Sequence, residues 1–463
     1  MIARPIHALL AGFKLTTLYR PRGNMPRNNE MTARSRRAVW HPCTQMKLHE
    51  RHLPLVPLAR GEGVWLYDFE GRRYLDAISS WWVNLFGHCN PRIARAIVSQ
   101  LDTLEHAILA GFTHEPVVEL SERLAARSGL SHCHFASDGS SAVEIALKMS
   151  FHYWRNVGRD DKTGFVCLEG SYHGETAGAL SVTDVGLFRD VYDPLLNKVM
   201  RSPSPDWRNA HPGEDARTAA RRAALALEAH LAASHETTAA VIVEPLVQCS
   251  GGMAMHDPEY LRLVRAACDR HAVHLIADEI AVGFGRTGTF LACDQADIRP
   301  DLLCLSKGIT GGFLPLSVVL AGDEIYSAFY HDEIARGFLH SHSYSGNPLA
   351  CRAALAVLDI FDDENVLAVN RDKSTRLSAL AQEIARHRAV RHFRNTGMIW
   401  AFDIDSADPL AGRRFYLEAL ATGLLLRPLG NTVYFMPPYV IEEEHMRLLV
   451  DGTLSALEAA LRV

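Results

Sequence analysis

Between residues 93 and 320, short runs of almost unbroken apolar residues alternate with longer segments of helical period. A run of four or five apolar residues without polar alternation is what a strand covered on both faces requires. The pattern therefore predicts an α/β core, a mainly parallel sheet with helices on either side. The strand candidates are 164–168, 240–243, 273–277, 302–305 and 317–320. Three of them stop on ionisable residues: Glu244-Pro245 follows the second, Asp278-Glu279 the third and Ser306-Lys307 the fourth. Open α/β sheets bind ligands at the carboxyl ends of their strands, so these groups are expected on one edge.

The flanks have a different pattern. Apolar positions at 64–68 and 73–76 straddle Glu70-Gly71 as in a hairpin, and the chain after Asn347 gives a long helix followed by mixed α/β character. This predicts a smaller α/β domain built from both chain ends, 37–88 and 345–463, beside a large domain at 89–344. The Pro- and Ser-rich stretch 201–212 is expected to be a surface loop. Before Glu30 there is no acidic residue, while Arg4, Lys14, Arg20, Arg22 and Arg27 are all basic. Such a start fits a transit peptide. Met25 and Met31 stand as alternative starts, and residues 1–36 are expected to be a disordered or over-called extension.

Composition narrows the function. With 463 residues, 48% of them apolar, the chain can bury large cores. A net charge of -5 spread over both signs gives no nucleic-acid footprint, so a small-molecule partner is expected. Nine scattered cysteines, odd in number and without a C-x-x-C pair, favour a reducing cytoplasm over a disulfide framework. Charge, Gly or Pro breaks every strong apolar run, so no membrane span is expected.

Asp278 and Lys307 each stand where an apolar strand stops, and each precedes a Gly-rich turn. A pyridoxal cofactor needs a lysine amine for its aldehyde and an acid to keep its ring nitrogen protonated, and this pair suits those roles. Ser137-Asp138-Gly139-Ser140-Ser141 runs directly into a helical segment. Small residues at a helix N-terminus present backbone N–H groups to an anion such as a phosphate. There is neither a P-loop nor a strand-linked G-x-G-x-x-G for a nucleotide. Ser171-Tyr172-His173-Gly174-Glu175-Thr176 places an aromatic ring at another strand end, where Tyr172 can stack on a cofactor. The pairs His132/His134 and His340/His342 lack companion ligands at metal spacing, so no metal is expected.

The run from Leu275 through Asp278 to Gly288, followed by Asp301 to Lys307, resembles the signature of class III aminotransferases, and the likeness extends from Trp40 to the C-terminus. The resemblance implies fold type I of the pyridoxal-phosphate enzymes, a transaminase reaction, and a homodimer with active sites at the subunit interface. Within the class, Trp40-His41-Pro42-Cys43-Thr44-Gln45-Met46, Ser79-Ser80-Trp81-Trp82, His340 through Ala350, and Arg427-Pro428 with Met436-Pro437-Pro438-Tyr439 resemble the branch that aminates 8-amino-7-oxononanoate in biotin biosynthesis. The resemblance implies S-adenosylmethionine as amino donor, with lysine or an omega-amino acid:pyruvate exchange as alternatives. A non-catalytic protein of the same fold, which could lose Lys307 without penalty, is the remaining alternative.

By the same resemblance Gly139 and Ser140 hold the phosphate, Tyr172 covers the ring, Gln248 approaches the ring hydroxyl, and Ser343 of the second subunit completes the phosphate site. Trp81 and Trp82 wall the substrate channel and Arg427 meets the substrate carboxylate. Three positions depart from many relatives: Cys43 replaces an aromatic, Glu175 an Asp and Ser343 a Thr. The last two conserve the chemistry, whereas Cys43 removes a hydroxyl and a ring from the substrate side.

Overall fold

The computed structural model describes residues 26–462. Its centre is a seven-stranded sheet. In chain order the strands are β1 (His132–Ala136), β2 (Gly164–Leu168), β3 (Met200–Ser202), β4 (Thr238–Val243), β5 (His274–Asp278), β6 (Leu302–Leu305) and β7 (Ser317–Ala321). In space they run β1-β7-β6-β5-β4-β2-β3. Pairings are parallel from β6 across to β3, and β7 alone runs against its neighbours β6 and β1. Six strands therefore end, and β7 begins, on the same edge.

The five inner strands are largely apolar on both sides because each side is covered. Cys167, Ile242, Ile276, Cys304 and Val319 pack with Ala142, Val143, Ile145 and Ala146 of the helix Gly139–Asn156. Val166, Val241, Leu275, Leu303 and Val318 belong to a second core with Leu261 and Val264 of the helix Glu259–Arg270 and Leu227 of the helix Ala216–Ser234. The expected α/β class is thus present, with all five candidate strands in place to within two residues.

Two strands were not expected, β1 and β3, and they are the two edges of the sheet. An edge strand is covered less completely, so it needs no continuous apolar run: β1 reads His-Cys-His-Phe-Ala with only its last two residues buried, and β3 is three residues long with Met200 exposed. The 201–212 stretch is accordingly not all loop. It begins with the end of β3 and contains a short 3-10 turn, Trp207–Asn209.

Toward the C-terminus, β8 (Val390–Thr396), β9 (Ile399–Ile404) and β10 (Thr432–Phe435) form an antiparallel three-stranded sheet. Leu75 and Asp76 pair in parallel with Leu424 and Leu425. The two chain ends thus meet in one sheet.

The described chain falls into two compact units, 26–60 with 67–73, and 61–66 with 74–462. The first contains a helix, Arg27–Ala38, and a 3-10 turn, Met46–Glu50. The N-terminal part of the 1–36 extension lies outside the described residues, but its end is helical rather than disordered. Glu30 in the first turn and Arg36 and Arg37 in the last complement the helix dipole, and no residue is buried, so no apolar stripe announces this helix. Among the described residues, no helix is long and apolar enough to cross a membrane.

Candidate active site

A cavity of about 700 Å³ opens at the sheet edge where the six strands end. Lys307, Asp278, Glu244, Tyr172, Ser140 and Trp82 all line it. Lys307 follows β6 and carries a left-handed φ of 44°, a conformation a lysine holds only when its surroundings impose it. Its Nζ lies 5.2 Å from the centre of the Trp82 ring. Burial lowers its pKa below the ordinary 10.5, opposed chiefly by the carboxylate of Asp278. A larger share of neutral, nucleophilic amine at neutral pH is the consequence.

Asp278 ends β5 and is buried. Its Oδ2 lies 2.7 Å from His173 Nδ1, and its Oδ1 accepts from the Ile280 N–H at 3.1 Å. His173 is buried too, held by its own N–H donating to Thr183 Oγ1. Glu244 accepts the backbone N–H groups of Tyr172 and Cys249 at 2.9 and 3.0 Å, which fixes the base of the 171–176 loop to the end of β4. Burial, opposed by His173, pushes the Glu244 carboxyl up to about 7. The Tyr172 hydroxyl donates to Glu175 Oε1 at 2.8 Å, and its ring meets Phe188 edge-on.

Beside this loop, Asp138 caps the helix Gly139–Asn156 by accepting the N–H and hydroxyl of Ser141 at 2.9 and 2.8 Å. The N–H groups of Gly139 and Ser140 remain at the positive end of a five-turn helix, an anion site. A side chain at Gly139 would press on Ile280 at 3.0 Å, so the bare backbone faces the cavity.

Trp82 reaches the cavity through an unusual backbone. Ser79, Ser80, Trp81 and Trp82 all have left-handed φ values, 51°, 47°, 73° and 75°. Each such residue costs roughly 1–2 kcal/mol, so the turn must be held from outside. Asp76 accepts the N–H and hydroxyl of Ser80 at 2.9 and 2.8 Å, and the Ser79 hydroxyl donates to the Met436 carbonyl at 2.7 Å. Arg286, fully buried, donates to the carbonyls of Trp82, Asn84 and Pro437 at 3.3, 3.0 and 2.8 Å. Trp81 points outward, with the Arg427 guanidinium 4.8 Å from its ring centre.

Not every expected residue lines this cavity. Gln248 is buried, its amide committed to the Ser204 hydroxyl and the Glu169 carbonyl. Ser343 sits exposed in the turn that ends at Gly346. Cys43 is exposed in a turn of the first unit. His132 bonds Asp323, and His340 bonds His342 and Lys148. His173 and Arg286 had no assigned role beforehand. Each belongs to a motif already singled out, but a buried polar partner over a hundred residues away leaves no local pattern.

Pyridoxal phosphate fits these residues. Lys307 would supply the amine, Asp278 a buried carboxylate with His173 behind it, Tyr172 a ring, and the helix N-terminus two N–H groups for a phosphate. A family profile described as Aminotransferase class-III matches residues 46–457. A Helicobacter pylori protein named adenosylmethionine-8-amino-7-oxononanoate aminotransferase is 45% identical over 429 residues, 91% of this chain and 96% of that protein. The crystal structure of a protein of the same name from Methanocaldococcus jannaschii superposes with a TM-score of 0.87 at 34% identity, over 93% of this chain and 99% of that one. An omega transaminase from Pseudomonas jessenii in complex with PMP superposes with a TM-score of 0.87 at 28% identity, over 93% and 98%.

Proposed function

The chain belongs to the class III aminotransferases, and on that premise we propose that it converts 8-amino-7-oxononanoate to 7,8-diaminononanoate, the biotin-pathway step, with S-adenosylmethionine as amino donor. Members of the class depend on pyridoxal phosphate, which serves as an electron sink for the substrate carbon that gives or receives nitrogen.

Lys307 holds the cofactor, and its amine, kept below its ordinary pKa, is the base placed to move the proton at that carbon. Asp278 holds the proton on the ring nitrogen, and His173 keeps the carboxylate from turning away. Gly139 and Ser140 bind the phosphate. Trp82 and Tyr172 exclude water from the cavity walls.

One observation carries the substrate: two adjacent tryptophans join the reacting amine to a guanidinium. Trp82 lies beneath the Lys307 amine and Trp81 beneath the Arg427 guanidinium. A keto acid with a long apolar chain matches this order of a reacting amine, an aromatic wall and a carboxylate fork. The sulfonium cation of the donor gains from the same indole faces. The omega transaminase shares the fold at lower identity, 28% against 45%, and the paired tryptophans favour the oxononanoate.

We further propose that two copies of the chain pair, with Ser343 of one reaching the phosphate site of the other. In support, Ser343 is exposed and lies in a segment whose apolar side chains Tyr330, Ile334, Leu339 and Tyr344 are also exposed.

Incubation of the loaded enzyme with 8-amino-7-oxononanoate and S-adenosylmethionine is expected to give diaminononanoate by mass. Product with lysine but not S-adenosylmethionine would overturn the donor. No product with either, alongside turnover of omega-amino acids and pyruvate, would overturn the substrate.

A further inference from the structure

The loop that carries Tyr172 rests on Ser140, and the hydrogen bonds at that contact can be counted. A hydroxyl oxygen has two lone pairs and one proton. The backbone N–H groups of Glu175 and Thr176 both donate to Ser140 Oγ at 3.0 Å, which fills its acceptor sites. Thr176 Oγ1 is also 3.0 Å from Ser140 Oγ. With both lone pairs taken, the Ser140 hydroxyl can only donate across that contact, and Thr176 can only accept. The Thr176 proton is therefore left without an acceptor among the described residues, on a side chain that lines the cavity beside Gly139 and Ser140.

Close packing fixes this arrangement. Gly174 has φ +123°, and a side chain there would fall 2.3 Å from Ser140 Oγ, so only glycine lets the 173–176 segment settle on the serine. Thr176 is held at its own N–H and at its hydroxyl by the same oxygen.

We infer that Thr176 is a further ligand of the cofactor's phosphate, the last donor in a chain from the backbone of Glu175 and Thr176 through the Ser140 hydroxyl to the Thr176 hydroxyl. The inference rests on the placement of the phosphate at the N-terminus of the Gly139–Asn156 helix. Each bond polarises the next, so the terminal hydroxyl is a stronger donor than an isolated threonine. It also ties phosphate binding to the loop bearing Tyr172 and Glu175.

The test compares pyridoxal phosphate with pyridoxal, which lacks the phosphate, by titrating the cofactor-stripped protein and following the absorbance of the bound form. Thr176→Val is expected to weaken pyridoxal phosphate roughly tenfold to a hundredfold, the range for a hydrogen bond to a charged acceptor, and to leave pyridoxal unchanged. Thr176→Ser is expected to restore most of the loss. A valine variant that binds pyridoxal phosphate as tightly as the wild type, or that loses both ligands alike, would overturn the inference. Wild-type protein that holds the two ligands equally would instead overturn the phosphate placement.

Discussion

His173 Nδ1 lies 2.7 Å from Asp278 Oδ2, and both side chains are buried, one in the loop that follows β2 and the other at the end of β5, with β4 between the two strands. The imidazole and the Ile280 N–H between them engage both carboxylate oxygens and fix the plane of the acid. An acid so held can keep a proton on a ring nitrogen only while it is anionic. Asp278→Asn is therefore expected to retain bound cofactor and to lose about a hundredfold or more in kcat. Rapid-quench kinetics with equal cofactor occupancy, read from the visible absorption, checks both halves; near-normal turnover would make the acid structural.

Arg427 stands over Trp81 rather than against the Lys307 amine, at the other end of the tryptophan pair. If its guanidinium meets a substrate carboxylate remote from the reacting carbon, as proposed, Arg427→Ala is expected to raise KM for 8-amino-7-oxononanoate at least tenfold and to leave cofactor affinity within about twofold. Steady-state kinetics with the keto acid and with an analogue lacking the carboxylate separates the roles. Equal losses for both would contradict this one.

Arg286 holds the left-handed 79–82 turn by three backbone carbonyls. Arg286→Met removes those donors and leaves buried acceptors unpaired, at a cost on the order of 3 kcal/mol. Urea unfolding measures it, and the emission of Trp82 should shift as the turn relaxes. An unchanged unfolding midpoint with unchanged emission would show that the turn holds itself.

Sequence pattern located the strands whose residues are buried on both faces, and with them Glu244, Asp278 and Lys307, because parallel strands all end on one side. It missed β1 and β3, where a sheet edge tolerates histidine and a three-residue strand. It missed the helix Arg27–Ala38, which buries nothing. Nor does sequence show four successive left-handed residues at Ser79 to Trp82, none of them glycine; their conformation is imposed by Asp76, Met436 and Arg286, from as far as 357 residues away. Resemblance named Gln248 and Ser343 for the cofactor site, and in a single chain neither lines the cavity.

His274 is buried, stacked on Trp154 and bonded to Ser150 at 2.9 Å, and burial lowers its pKa from 6.5 to about 4. A depressed folded value means the stability it contributes is present above pH 6.5 and lost as pH falls through about 4. The loss amounts to roughly 3 kcal/mol, at 1.36 kcal/mol per pH unit. Chemical denaturation at pH 7, 5.5 and 4 should show His274→Phe losing less stability with acid than the wild type by that amount. Parallel curves would mean that the imidazole takes up its proton as readily in the folded protein as in the unfolded chain.

The most direct measurement follows the nitrogen itself. Enzyme loaded with pyridoxal phosphate is mixed with S-adenosylmethionine carrying an isotopically heavy amino nitrogen, freed of excess donor, and then given 8-amino-7-oxononanoate. The account predicts diaminononanoate heavier by one mass unit from the wild type and none from Lys307→Ala. Unlabelled product from the wild type, or labelled product from the Lys307→Ala protein, would contradict it.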